Sequence, residues 1–332
     1  MSVTKVHTRQ LGKAGFDVSE VGLGCWQIGS DWGDTSDDTT SAILESALTS
    51  GITFLDTADV YGGGDSEAAI GRFLASWGGP RPRVATKFGR GGGIFPDGYT
   101  KDAMRAGLEG SLERLQVSRL DLVQLHCIPR DELAKGDVFD WLRDFQAEGL
   151  IAHFGASVET VEEGLLAMKQ DGLLSLQVIF NVFRQKVATE LLPEAARTGT
   201  GIIVRLPLAS GLLSGKFTKE TTFADNDHRT YNRDGAAFNV GETFAGIPFE
   251  KGVALVDGLK ADLPEGLSCG DMANRWILDH PAVSSIIPGA SAPEQIARNA
   301  KASGLPPLSD AYHAKLSAYY DANVASQIRG PY

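Results

Sequence analysis

The sequence predicts a (β/α)8 barrel, and three observations carry that prediction. Eight short apolar runs alternate with stretches of helical period along the 332 residues, as expected when parallel strands are each followed by a covering helix. The runs are apolar throughout rather than at every second residue, the pattern of strands covered on both faces. A doubly wound sheet is the rival arrangement, but VGLGCWQIG spaces Gly22, Gly24 and Gly29 wrongly for the Gly-rich turn that such folds use to hold a dinucleotide.

The elements follow in order. Segment 4–18, with Gly12 and Gly15 as turn residues, reads as a β-hairpin plugging the barrel bottom. Strands are expected at 20–24, 54–56, 84–87, 120–126, 152–156, 175–181, 201–205 and 285–288. Helices are expected at 38–50, 66–77, 101–115, 138–148, 159–171, 187–198 and 268–280, with 293–302 after the last strand. Ser66 and Glu67, Thr100, and Ser291 to Pro293 are the expected helix starts. Residues 208–250, after the seventh strand, form a loop far longer than an ordinary connection, and loops of that length usually serve a function. No Ser/Gly/Pro linker or low-complexity run divides the chain, so 1–332 is read as one barrel domain.

Composition narrows the function. The formal net charge of −11 and pI near 5.1 would repel a phosphate backbone, which argues against nucleic acid as a partner. No run of 18 apolar residues is long enough to span a bilayer, and MSVTKVHTRQLG lacks the apolar centre of a signal peptide. Cys25, Cys127 and Cys269 are odd in number and far apart, which fits a reducing compartment; no CxxC or HxxxH spacing suggests zinc. The expectation is a cytoplasmic enzyme acting on a small molecule, with no specified oligomer.

Four ionisable side chains fall where successive strands should stop. Asp56 closes GITFLD, Tyr61 follows in the YGGG turn, Lys87 closes VATK and His126 closes LDLVQLH. Barrel enzymes draw their catalytic groups from the C-terminal ends of strands. A carbonyl that is being reduced needs a proton donor within hydrogen-bond reach. A phenol, with an ordinary pKa of about 10, is a weak donor, and a nearby ammonium such as Lys87 favours its anion and lowers that pKa. Asp56 can hold Lys87 by an ion pair, and His126 can donate to the carbonyl oxygen. Taken singly, each residue has a plainer role: a helix cap, a packed ring, a solvated ammonium, a core imidazole. Four of them on consecutive strands argue for a site.

GITFLDTADVYGGGDSEAAIG, VATKFG, LDLVQLHCIP and IIPGASAPEQIARNAKA closely resemble the aldo-keto reductases, and the similarity runs over nearly the whole chain. The D-T-A-x-x-Y-G string is specific. The resemblance implies a barrel that binds an extended nicotinamide cofactor, and a catalytic tetrad of Asp56, Tyr61, Lys87 and His126 with Tyr61 as general acid. By the same resemblance, Cys25 and Trp26 lie at the mouth, and Ser157 and Gln177 hold the nicotinamide carboxamide. Pro207, Leu208, Ser210 and Lys216 then approach the pyrophosphate, with Gly289, Ser291, Gln295 and Asn299 at the adenosine end. Free N–H groups where PGASAPEQ opens a helix would favour a phosphate.

The chain departs from the family pattern in places. Val158 stands where an Asn is usual. Arg205 takes the place of an aromatic that stacks on the nicotinamide; its planar guanidinium can also lie over a ring. Leu206 replaces a small polar residue. Gln295 and Arg298 replace a basic-then-acidic pair, so Arg298, or Arg229 or Arg233 of the long loop, is the expected partner of a 2′-phosphate. NADP(H) is therefore expected ahead of NAD(H). Trp26, Trp32 and Phe88 are the expected substrate walls, with the Gly-rich 88–98 loop able to close over them. The implied reaction is reversible carbonyl reduction. The alternatives are a sugar or alcohol dehydrogenase running oxidatively, or a cofactor-binding redox sensor such as the potassium-channel β subunits that resemble this family.

Overall fold

The computed structural model describes residues 6–28 and 36–332. Strands β1 (Thr8–Gln10) and β2 (Asp17–Ser19) pair antiparallel, with Arg9 opposite Val18. Leu11, Phe16 and Val18 of this hairpin pack on Phe54, Ala85, Leu122, Leu174 and Ile203, which point into the barrel from its strands. The hairpin is thus the expected plug.

The chain then runs β3 (Leu23–Gly24), α1 (Asp37–Thr49), β4 (Phe54–Asp56), α2 (Asp65–Ser76), β5 (Arg83–Phe88), α3 (Lys101–Arg114) and β6 (Leu120–His126). It continues through α4 (Arg130–Lys135), α5 (Asp137–Ala147), β7 (Ile151–Ser157), α6 (Val161–Ala167), β8 (Leu173–Ile179), α7 (Lys186–Thr198) and β9 (Gly201–Arg205). Last come α8 (His228–Tyr231), α9 (Phe249–Lys260), α10 (Cys269–Leu278), β10 (Val283–Ile286), α11 (Pro293–Lys301) and α12 (Asp310–Tyr319). Strands β3 to β10 lie in chain order in one parallel sheet. Parallel bridges Val21–Ile286 and Gly24–Gly289 bring β3 back onto β10 and close the barrel.

All eight expected strands form, as do the eight expected helices, with ends displaced by a few residues. Four helices fall outside the simple alternation. Helix α4 precedes α5 between β6 and β7, α8 and α9 precede α10 between β9 and β10, and α12 follows the last repeat; a strand-then-helix rhythm has no place for them. One expected cap is corrected. Gly64, not Ser66, is the N-cap of α2. Ser66 instead bonds Thr57 Oγ1 and the Cys25 carbonyl, and the buried Glu67 accepts from Arg114. Helix α11 does open within the expected 291–293 stretch, with Ala292 at the cap and Pro293 as its first residue. Thr100 does cap α3, its hydroxyl accepting from the Ala103 N–H.

Candidate active site

The strand ends place the four expected groups together. Lys87 is fully buried in β5 and its Nζ makes three contacts: Asp56 Oδ1 at 2.5 Å, the Thr57 carbonyl at 2.8 Å and Tyr61 Oη at 3.2 Å. Tyr61 reaches back over the mouth because the turn after it folds sharply: Gly62 and Gly63 have φ of 59° and 63°, and Gly64 has 106°. Three successive residues in that region require glycine. The Tyr61 ring stacks on Trp26 with centroids 5.8 Å apart and meets His126 edge-on at 5.9 Å.

Burial dominates the electrostatics. It pushes the Tyr61 phenol above its ordinary pKa; the Lys87 ammonium opposes that and Asp56 reinforces it. The expected lowering by Lys87 therefore has the right sign but is the smaller effect, and the net direction is corrected to upward. Burial also works against the Lys87 charge, yet Asp56 and the phenol outweigh it and hold Lys87 above the usual lysine range. Burial, with Lys87, Arg90 and Arg205 nearby, lowers His126 well below an ordinary histidine, so the imidazole is neutral near pH 7 and carries one N–H.

These groups open into a cavity of about 860 Å³, within the range of about 300–1,000 Å³ typical of small-molecule sites. Cys25, Trp26, Ser157, Gln177, Arg205 and Leu206 line it near Tyr61 and His126. Pro207, Leu208, Ser210 and Lys216 continue the wall along the start of the long loop. Gly289, Ser291, Gln295, Arg298 and Asn299 form a wall after β10, where the Ser291 N–H is taken by Gln295 Oε1 at 2.8 Å. The donor set suits a dinucleotide: amides and hydroxyls along the wall, and the cationic Lys216 and Arg298 among them.

Arg205 lies in an ion pair with Glu242 and donates to the Val158 carbonyl at 3.1 Å and to Cys127 Sγ at 3.6 Å. Its guanidinium is thereby held to the long loop while the residue lines the cavity. Three expectations change. Phe88 is fully buried in the core around the barrel and is not a cavity wall. Arg233 does not line the cavity; it donates to the Arg229 carbonyl at 3.0 Å and lies over Phe249. Arg229 lines the cavity but grips both oxygens of Asp227. Trp32 lies outside the described residues.

The sequence reading missed Gln124, Arg90, His228, Tyr231, Phe238 and Glu242. Gln124 was visible as an inward residue, because Leu122, Gln124 and His126 alternate along one strand. The loop residues carry no such periodic signal. His228 sits 5.0 Å from Trp26, and Phe238 closes the same aromatic wall at 6.1 Å.

Comparison with known proteins gives a consistent result. The sequence profile of the Aldo/keto reductase family matches residues 20–321. A probable voltage-gated potassium channel subunit beta from Oryza sativa subsp. japonica is 30% identical, over 90% of this chain and 92% of its own. Aldo-keto reductase YhdN of Bacillus subtilis is also 30% identical, over 86% and 85%. The solved structure of the glycerol dehydrogenase AKR11B4 from Gluconobacter oxydans superposes with a TM-score of 0.78 at 28% identity, covering 100% of this chain and 99% of that one.

Proposed function

The chain belongs to the aldo/keto reductase family, and from that premise we propose that it is an NADPH-dependent carbonyl reductase, turning an aldehyde or ketone into its alcohol and running in reverse under oxidising conditions. The observation that carries the reading is Tyr61 Oη at 3.2 Å from Lys87 Nζ, with Asp56 behind the ammonium and His126 beside the ring. A nicotinamide cofactor bound along the cavity would supply the hydride. Tyr61 then gives its proton to the carbonyl oxygen, and the Lys87 charge stabilises the phenolate that remains. Neutral His126 donates its single N–H to the same oxygen and orients it. In the reverse direction Tyr61 takes the alcohol proton.

Ser157 and Gln177 are suited to the carboxamide, Ser210 and Lys216 to the pyrophosphate, and Gln295 and Asn299 to the adenosine. Preference for NADPH is supported by Arg298, which is in no ion pair among the described residues. Arg229 is occupied by Asp227 and Arg233 is off the cavity, so Arg298 is the favoured partner of the 2′-phosphate.

A second reading, oxidation of a polyol or sugar, is favoured by the aromatic wall of Trp26 and Phe238, on which C–H faces of a sugar can stack, and by likeness to a glycerol dehydrogenase. One paired assay decides among these. NADPH fluorescence is titrated with protein, and turnover is then followed on a panel of aldehydes and ketones and, with NADP, on polyols. Absence of binding overturns the functional reading. Binding without turnover makes the protein a cofactor-binding subunit, and faster polyol oxidation moves the reading to a dehydrogenase.

A further inference from the structure

Asp56 is held by more than its lysine. Gln124, fully buried in β6, donates Nε2 to Asp56 Oδ2 at 3.1 Å. Gln177, buried in β8, donates its Nε2 to the same oxygen at 2.7 Å and to Gln124 Oε1 at 3.4 Å. The amide orientations follow from chemistry: an ionised carboxylate only accepts, so both glutamines must turn their NH2 groups toward Oδ2. Gln124 Oε1 then meets Gln177 Nε2, and Gln177 Oε1 is left as the acceptor available to the cavity that Gln177 lines.

We propose that Gln124 is a positioning residue for the reaction: it shares the Asp56 carboxylate with Lys87 and holds that carboxylate behind the ammonium, while Asp56 itself turns the Gln177 amide. This rests on the nicotinamide reading of the cavity. The electrostatic consequence has a definite sign. Asp56 raises the phenol's pKa and Lys87 lowers it. N–H groups on Oδ2 withdraw charge from Asp56, so more of the Lys87 charge acts on Tyr61. Gln124 carries no charge, and Gln177 is turned by its own 2.7 Å bond to Asp56 Oδ2.

Two near-isosteric variants test this. Gln124→Met removes both the donor and the acceptor. Gln124→Glu keeps the shape but sets a second carboxylate against Asp56. In each, the other groups that face Tyr61 are untouched: Lys87 on β5, Asp56 on β4, His126 on β6 and Glu242 of the long loop. The pH dependence of kcat for alcohol oxidation is measured, with the Kd of NADPH and the melting temperature. The expected result is an upward move of the alkaline midpoint, on the order of one pH unit for Met and more for Glu. NADPH affinity should barely change in Gln124→Met, because Asp56 still fixes the Gln177 amide. Lowered melting temperature with an unmoved midpoint would make Gln124 a packing residue and overturn the proposal. So would failure of both variants to fold. Failure of the functional reading is seen separately, as absent NADPH binding in the unmodified protein.

Discussion

At the residue scale, Tyr61 is the phenol that Lys87 contacts, and that contact gives two predictions. Tyr61→Phe keeps the ring stacked on Trp26 but removes the proton donor, so reduction should slow by about 10²–10⁴-fold with little change in NADPH affinity. Near-normal kcat would exclude Tyr61 from proton transfer. Lys87→Met should also cripple turnover, and in the remaining activity the alkaline midpoint for alcohol oxidation should rise, since Lys87 is what holds the buried phenol's pKa down. An unshifted midpoint would leave Lys87 as scaffold. His126 yields a stability prediction whose sign follows from its lowered pKa. The unfolded chain takes up a proton near pH 6.5 that the native imidazole refuses, so its contribution is full above about pH 6.5 and is lost as pH falls toward the lower folded value. Urea midpoints at pH 7.5 and 5.5 should therefore differ less in His126→Asn than in the unmodified protein.

At the scale of elements, the long loop after β9 is tied down at two places. Arg205 and Glu242 form an ion pair in which both side chains are largely buried. Farther along, Arg329 donates to the carbonyls of Gly246 and Arg233 at 2.9 and 3.0 Å and pairs with Asp234 at 2.6 Å. Removing one member of a buried pair strands the other, which costs about 3–5 kcal/mol. Glu242→Ala should lower urea stability by an amount approaching that range. It should also speed NADPH release, because the loop carrying His228 and Phe238 loses one of its ties to the barrel; an unchanged release rate in stopped-flow fluorescence would separate the loop from cofactor retention. On α11, an Arg–phosphate bond of about 1.5–3 kcal/mol corresponds to at least ~10-fold tighter binding of NADPH than NADH. Arg298→Ala should erase most of that difference and leave NADH binding intact. Equal Kd values in the unmodified protein would dispose of the assignment.

At the scale of the whole molecule, the barrel has two apolar compartments, one between strands and helices and a small one inside, stoppered by the hairpin. The site stands at the opposite end of the same strands. Leu11→Ala should therefore cost about 2–5 kcal/mol of global stability, as truncation of a fully buried leucine does. The Kd for NADPH should barely change. A large loss of affinity in the folded variant would mean that the plug and the mouth are coupled through the strands.

The sequence by itself determined the eight strands, the covering helices and the plug, because each is written in local apolar period and turn residues. It also determined that Asp56, Tyr61, Lys87 and His126 share one rim, since a parallel barrel sends every strand end to the same side. What it could not supply was any relation between residues that meet only after closure. Glu242 lies 37 positions from Arg205 and Gln124 lies 68 from Asp56, and neither pair leaves a mark in local pattern. Burial was likewise undetermined, and it reversed the direction of the Tyr61 shift and withdrew Phe88 from the cavity. Which end of Gln177 faces the cavity was settled by a carboxylate on another strand that can only accept, a constraint that exists once the chain has folded around it.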